Sequence, residues 1–193
     1  MALLSINLGA ASYNYSILNL RNKQKKNYPL SFIKALLLFV FLLGDISHDD
    51  CSTFYLIRHA EKIRADKSER NPDLNEKGLI RAQKWRNYFS DKDISKIYST
   101  NYKRTLKTVQ PLAVQNNIET SLYTPSIIDY DDFIRSNIGG NVLVVGHSNT
   151  IPDFVNNIID DKYYDQIDDL NNSNLYVVSM CNSKITHKLI KVN

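Results

Sequence analysis

The sequence predicts an α/β domain with a largely parallel sheet. From residue 52 onward, short apolar segments alternate with segments of helical period. One apolar segment, Asn141 to Gly146, lacks polar alternation, as a strand covered on both faces would. The helical segments carry their own start and stop residues, among them Asn75 and the pair Gly139-Gly140.

Taken in order, Thr53 to Arg58 is the first strand, rich in β-branched and aromatic residues. Asn75 has the side chain to cap a helix on which Ala82, Trp85 and Phe89 share one face. Lys96 to Ser99 is the second strand. Arg104 to Asn116 has helical period, with Pro111 expected to start a turn or kink it. Glu119 to Tyr123 is a third strand, followed by a short helix entered near Asp131 and stopped by Gly139-Gly140. After the strand Asn141 to Gly146, Pro152 suits the first turn of the next helix. Asn174 to Met180 and Ile185 to Val192 form a closing pair of strands.

At 193 residues, 43% apolar and 23% charged, the chain has the length and composition of one globular domain. The net charge of +4 is localised. Arg21, Lys23, Lys25, Lys26 and Lys34 stand in the first 44 residues without an Asp or Glu, leaving 19 cations against 20 anions in the remainder. A near-neutral body has no nucleic-acid footprint.

Residues 1–50 read as a leader and 51–193 as the domain. The basic stretch, the apolar run 35–43 and the polar exit Gly44 to Asp50 have the order of a signal peptide. The run is about half the roughly 20 residues of a bilayer span. An exported protein, periplasmic or extracellular, is therefore expected, touching a membrane only through the leader. Residues 1–29 precede the usual start of such a signal, and translation from near Leu30 would give a compact one. Asp49 and Asp50 argue against lipidation of Cys51.

His59 follows the first strand directly and His147 follows the strand Asn141 to Gly146. In open α/β sheets ligands bind at the carboxyl ends of strands, so both imidazoles should face one crevice. Arg58 precedes one histidine, and Arg104 opens the helix after the second strand, where a helix N-terminus also favours an anion. Two arginines, two histidines and a helix end suit phosphate. Alone, each histidine would read as structural and Arg104 as a solvated helix residue; the shared strand-end position argues otherwise. Glu61 and Lys62 are expected to support the site or pair at its rim. The acidic stretch Asp160 to Asp169 lacks the ligand spacing and glycine of a calcium loop and reads as a solvated connection; no metal and no cofactor are assigned.

Arg58-His59-Ala60-Glu61-Lys62, the segment Tyr98 to Thr105, and Val144-Val145-Gly146-His147-Ser148-Asn149-Thr150 resemble, in order, the three signatures of the histidine phosphatase superfamily, the phosphoglycerate mutase-like family. Leu74-Asn75-Glu76-Lys77-Gly78 matches a further landmark, and the resemblance covers residues 52–193. It implies a three-layer α/β/α sandwich with a mostly parallel sheet of about six strands. It also implies a metal-independent phosphatase in which His59 attacks phosphorus, Arg58, Arg104 and a protonated His147 hold the phosphoryl oxygens, and Ser148 contributes to substrate binding.

Some acid phosphatases of the superfamily carry their general acid directly after the second histidine, where this chain has Ser148. Other branches carry it after the third strand, where Asp129, Asp131 and Asp132 are candidates; Asp131 is taken, the alternative being that the cluster caps the helix. The substrate would be a phosphorylated small molecule or a phosphoprotein. The competing readings are phosphoglycerate mutase-like phosphotransfer, a cytosolic phosphohistidine phosphatase, and a non-catalytic phosphate-binding envelope module. In folds of the resembled family the strand matching Asn174 to Met180 lies antiparallel beside the first, which implies a disulfide between Cys51 and Cys181.

Overall fold

The computed structural model describes residues 51–182 and 184–193; the leader with its apolar run 35–43 lies outside them. Elements alternate as expected: β1 (Ser52–Arg58), α1 (Glu76–Phe89), β2 (Ile94–Ser99), α2 (Lys103–Asn116), β3 (Thr120–Leu122), α3 (Tyr130–Arg135), β4 (Asn141–Gly146), α4 (Thr150–Ile159), β5 (Asn174–Cys181) and β6 (Lys184–Lys191).

The six strands form one sheet in the order β3-β2-β4-β1-β5-β6. The β1–β4, β2–β4 and β2–β3 pairs are parallel, and β1–β5 and β5–β6 are antiparallel. Strand alternation sends Phe54, Leu56, Val142, Val144, Tyr176 and Val178 to one face, where they meet Phe133 of α3 and Ile151, Phe154 and Val155 of α4. Ile57, Leu143, Val145 and Leu175 go to the other, against Trp85 and Phe89 of α1 and Val109 and Leu112 of α2. The central strands are covered on both sides, which accounts for their unbroken apolar character. The result is the three-layer α/β/α arrangement.

Local chemistry sets the helix ends. Asn75 accepts the Gly78 N–H and starts α1. Gly78 lies so close to β1's outgoing chain that a Cβ there would sit 2.1 Å from the Glu61 carbonyl oxygen. Glu61 in turn accepts the Asn75 N–H at 3.0 Å, locking the helix start to the segment after His59. Pro111 does not start a turn: α2 is assigned as one helix through it. Pro111 withholds one amide, while Val109 and Leu112, both buried, hold the turn on the sheet.

Cys51 and Cys181 form a disulfide with their Cα atoms 4.3 Å apart, as the antiparallel pairing of Ser52 with Met180 requires. Among the described residues no helix is long and apolar enough to cross a membrane.

Candidate active site

Three parallel strands end level with one another. Arg58 is opposite Gly146, and Ser99 is opposite Val145, so the residues leaving β1, β4 and β2 emerge side by side. The His59 N–H donates to the Gly146 carbonyl at 2.9 Å and the Thr100 N–H to the Val145 carbonyl at 3.3 Å. This alignment brings the rings of His59 and His147 to 5.5 Å between centroids, at 64°. Arg104, in the first turn of α2, reaches the same place from the end of β2.

Arg58, His59, Arg104, His147 and Ser148 all line one cavity of about 400 Å³, together with Lys62, Thr100, Tyr102, Asn149, Thr150, Pro125 and Asp169. The expected phosphate-holding residues therefore converge. Asp131 does not: it is exposed on α3 and is absent from the lining. Its neighbours are otherwise employed, Asp129 capping α3 through the Asp132 N–H and Asp132 pairing with Arg135. The packing of Phe133 against Phe54 and Phe154 fixes where α3 lies. The acid assigned from the sequence thus lies outside the cavity lining.

His59 is 3% exposed. Its Nδ1 lies 2.7 Å from the Ala60 carbonyl oxygen. A carbonyl only accepts, so the proton is assigned to Nδ1, which leaves the Nε2 lone pair free. The backbone around it is tied down: the Ala60 N–H donates to Thr108 Oγ1 and the Asn172 amide donates to the His59 carbonyl, both at 2.8 Å. Burial first, then the positive charges of Arg58 and Arg104 and the His147 ring, lower the His59 pKa to about 3 despite the opposing Ala60 bond. The imidazole is neutral at ordinary pH.

His147 is lowered to about 4, by burial and then by Arg104, Arg58 and Lys62. Burial and the neighbouring cations thus favour its neutral form while no anion is bound. Its Nε2 lies 3.0 Å from Thr100 Oγ1, and an Arg104 terminal N–H faces its Nδ1 at 3.4 Å, so Nδ1 accepts and Nε2 carries the proton. Tyr102 packs edge-on against His147 and lies under the Arg104 guanidinium, 4.4 Å from the ring centroid.

Arg58 is 2% exposed. One terminal nitrogen donates to the carbonyls of Asp168 (2.8 Å) and Asn171 (3.1 Å), the other to the Asp169 carboxylate (2.6 Å). The Nε atoms of Arg58 and Arg104 are both buried without an acceptor among the described residues. Two buried guanidinium N–H groups lacking partners beside one cavity call for an oxyanion.

Sequence reasoning passed over Thr100 and Tyr102 although both lie inside the Tyr98 to Thr105 segment. Lys62, expected to support the site or pair at its rim, lines the cavity, its pKa lowered by burial, Arg104 and Arg64. Glu61 pairs with Arg81 at 2.9 Å and is not part of the cavity lining. Asp169, read as part of a solvated connection, pairs with the buried Arg58 and with Arg64. No local pattern announces it. Among the described residues no group of three or more potential ligands could hold a metal ion.

The pattern of the histidine phosphatase superfamily (branch 1) matches residues 54–124, which include Arg58, His59 and Arg104. No curated protein matches the chain in sequence. Solved structures do match in fold. Phosphoglycerate mutase from Bacillus anthracis str. Sterne is 13% identical, with 74% of this chain and 93% of that one covered and a TM-score of 0.57. A mutant phosphoserine phosphatase from Entamoeba histolytica is 13% identical, over 71% and 95%, with a TM-score of 0.54. The protein histidine phosphatase SixA complexed with tungstate is 12% identical, over 72% and 96%, with a TM-score of 0.56. Over residues 54–124 the chain matches the histidine phosphatase superfamily (branch 1) in sequence, and its described body shares the fold of these solved structures.

Proposed function

We propose that this protein hydrolyses phosphomonoesters, of small molecules or of phosphoproteins, through a phosphohistidine on His59 and without a metal. The observation that carries the reading is the bare Nε2 of a buried, neutral His59 in a cavity flanked by two arginines whose Nε–H groups lack acceptors. In the first step Nε2 bonds to phosphorus as the ester P–O bond breaks, and the leaving oxygen departs as the anion and takes its proton from solvent water. In the second, water attacks phosphorus, the N–P bond breaks and inorganic phosphate leaves. Arg58, Arg104 and Lys62 face the charge spread over the peripheral oxygens, which is most of what a loose phosphoryl transition state needs. The Ser148 hydroxyl is an additional donor at the same wall, and His147 orients the Arg104 terminal N–H that faces its Nδ1.

The lining contains one carboxyl group, Asp169, held ionised with its pKa lowered to about 2 by Arg64 and Arg58. A site so furnished favours leaving groups that depart without a strong acid, such as phenolates. The names of the fold neighbours, phosphatases and a mutase alike, agree with phosphoryl chemistry at such a site. Export is part of the proposal; the Cys51–Cys181 bridge suits an oxidising compartment, and the apolar run 35–43 suits a signal peptide. The test is turnover of an aryl phosphate by the purified protein with a chelator present. Turnover that persists in chelator and disappears in His59→Ala supports the reading; no turnover, or its loss in chelator, overturns it.

A further inference from the structure

We propose that Asp169 is an internal counter-anion that holds Arg58 between turnovers and exchanges with phosphate, so that it sets how tightly substrate and product phosphate bind. The inference rests on the phosphatase reading above. Asp169 belongs to the irregular segment between α4 and β5, and its side chain lines the same cavity as His59 and His147. One carboxylate oxygen accepts from an Arg58 terminal nitrogen at 2.6 Å. The other accepts from Arg64 at 2.5 Å, and the Asp169 carbonyl accepts from the second terminal nitrogen of Arg64 at 2.8 Å.

The two ends of this link differ in freedom. Arg58 is immobile: it is 2% exposed, and its other terminal nitrogen is held by the Asp168 and Asn171 carbonyls. Asp169 is 62% exposed. The segment carrying it is anchored on both sides of the cavity, by the Ile167 N–H on the Ser148 carbonyl at 2.9 Å and by the Asn172 amide on the His59 carbonyl at 2.8 Å. Asp169 can therefore release Arg58 by side-chain rotation alone, and Arg64, 44% exposed, can follow it toward solvent. A phosphate oxygen arriving at Arg58 competes for the N–H that the carboxylate occupies, because a guanidinium nitrogen offers that direction to one strong acceptor at a time. When phosphate leaves, the carboxylate returns, so Arg58 keeps a counter-charge within its buried surroundings throughout the cycle. The consequence is weaker retention of product.

Inorganic phosphate serves as the probe, titrated calorimetrically into the full-length protein and used as an inhibitor of aryl phosphate turnover. Asp169→Asn keeps an acceptor oxygen but removes the charge, and Asp169→Ala removes both; with the carboxylate 62% exposed, both should fold, which thermal unfolding checks. Each is expected to bind phosphate roughly three- to tenfold more tightly, the range for release from a partly exposed ion pair, and to lower KM by a similar factor. Asp168→Asn removes the same charge one residue away, where the side chain accepts from the Leu170 N–H and not from Arg58. It should shift phosphate affinity by less than half as much. Equal effects of the Asp168 and Asp169 substitutions would reduce the role of Asp169 to general electrostatics and overturn the inference. Unchanged or weaker phosphate binding in both Asp169 variants would do so as well. Absence of phosphate binding by the wild-type protein would instead sink the phosphatase reading itself.

Discussion

At the scale of single residues, the protonation state of His59 decides the chemistry. Its Nδ1–H is committed to the Ala60 carbonyl, and its lowered pKa of about 3 keeps Nε2 unprotonated. His59→Ala should reduce phosphatase turnover by roughly 10³-fold or more while leaving thermal unfolding nearly unchanged, since the ring faces a cavity. The same pKa has a stability consequence. A histidine lowered from 6.5 to about 3 on folding binds more protons in the unfolded chain across that interval, so the stability it contributes is present above pH 6.5 and is lost as pH falls toward 3. His147, lowered to about 4, acts in the same direction. The unfolding midpoint in denaturant should therefore drop between pH 6.5 and 4, and drop less in His59→Asn; an equal drop in both would contradict the neutral assignment. Both histidines were legible in the sequence because each ends an apolar strand. Asp169 was not, because it reaches Arg58 from 111 residues away in a segment with no periodicity. For Asp131 the helix entry was legible, but the placement of that helix depends on ring packing around Phe133.

At the scale of elements, the junction of β1 with α1 positions His59. Asn75 caps α1 and its N–H returns to the Glu61 carbonyl, two residues beyond His59. Asn75→Ala should cost about 1 kcal/mol, the usual worth of such a cap. Gly78→Ala should cost more, about 1–3 kcal/mol, since the added methyl would overlap the Glu61 carbonyl and push the chain after His59. Chemical denaturation measures both, and a larger loss in Asn75→Ala would contradict this account of the junction. The sequence showed the cap and the apolar stripe of α1. It gave no reason for Gly78 beyond a family landmark, because the close approach is tertiary. Pro111 shows the reverse case, where a local signal for a break is overridden by burial of Val109 and Leu112.

At the scale of the whole molecule, the antiparallel pair β1–β5 closes the chain on itself and the disulfide fixes it there. A bridge spanning 130 residues constrains the unfolded chain strongly, and its reduction should lower stability by about 2–5 kcal/mol. Denaturation with and without reductant measures this. Protein recovered from its native compartment should show no reactive thiol before reduction; two per chain would contradict both the bridge and export. The order of elements, the two-sided core and the position of the site at the strand ends followed from periodicity and from residues at strand termini. The identity of the cavity wall did not, since Lys62, Tyr102 and Asp169 are brought there by loops whose paths only the packed sheet determines.

The central claim is that phosphate passes through His59, and the direct measurement is mass spectrometry of peptides from protein quenched in base during turnover of an aryl phosphate. The account predicts an acid-labile, base-stable phosphate on the peptide carrying His59, absent from His59→Ala. Rapid turnover with no phosphate on that peptide, or with phosphate on any other residue, would contradict it.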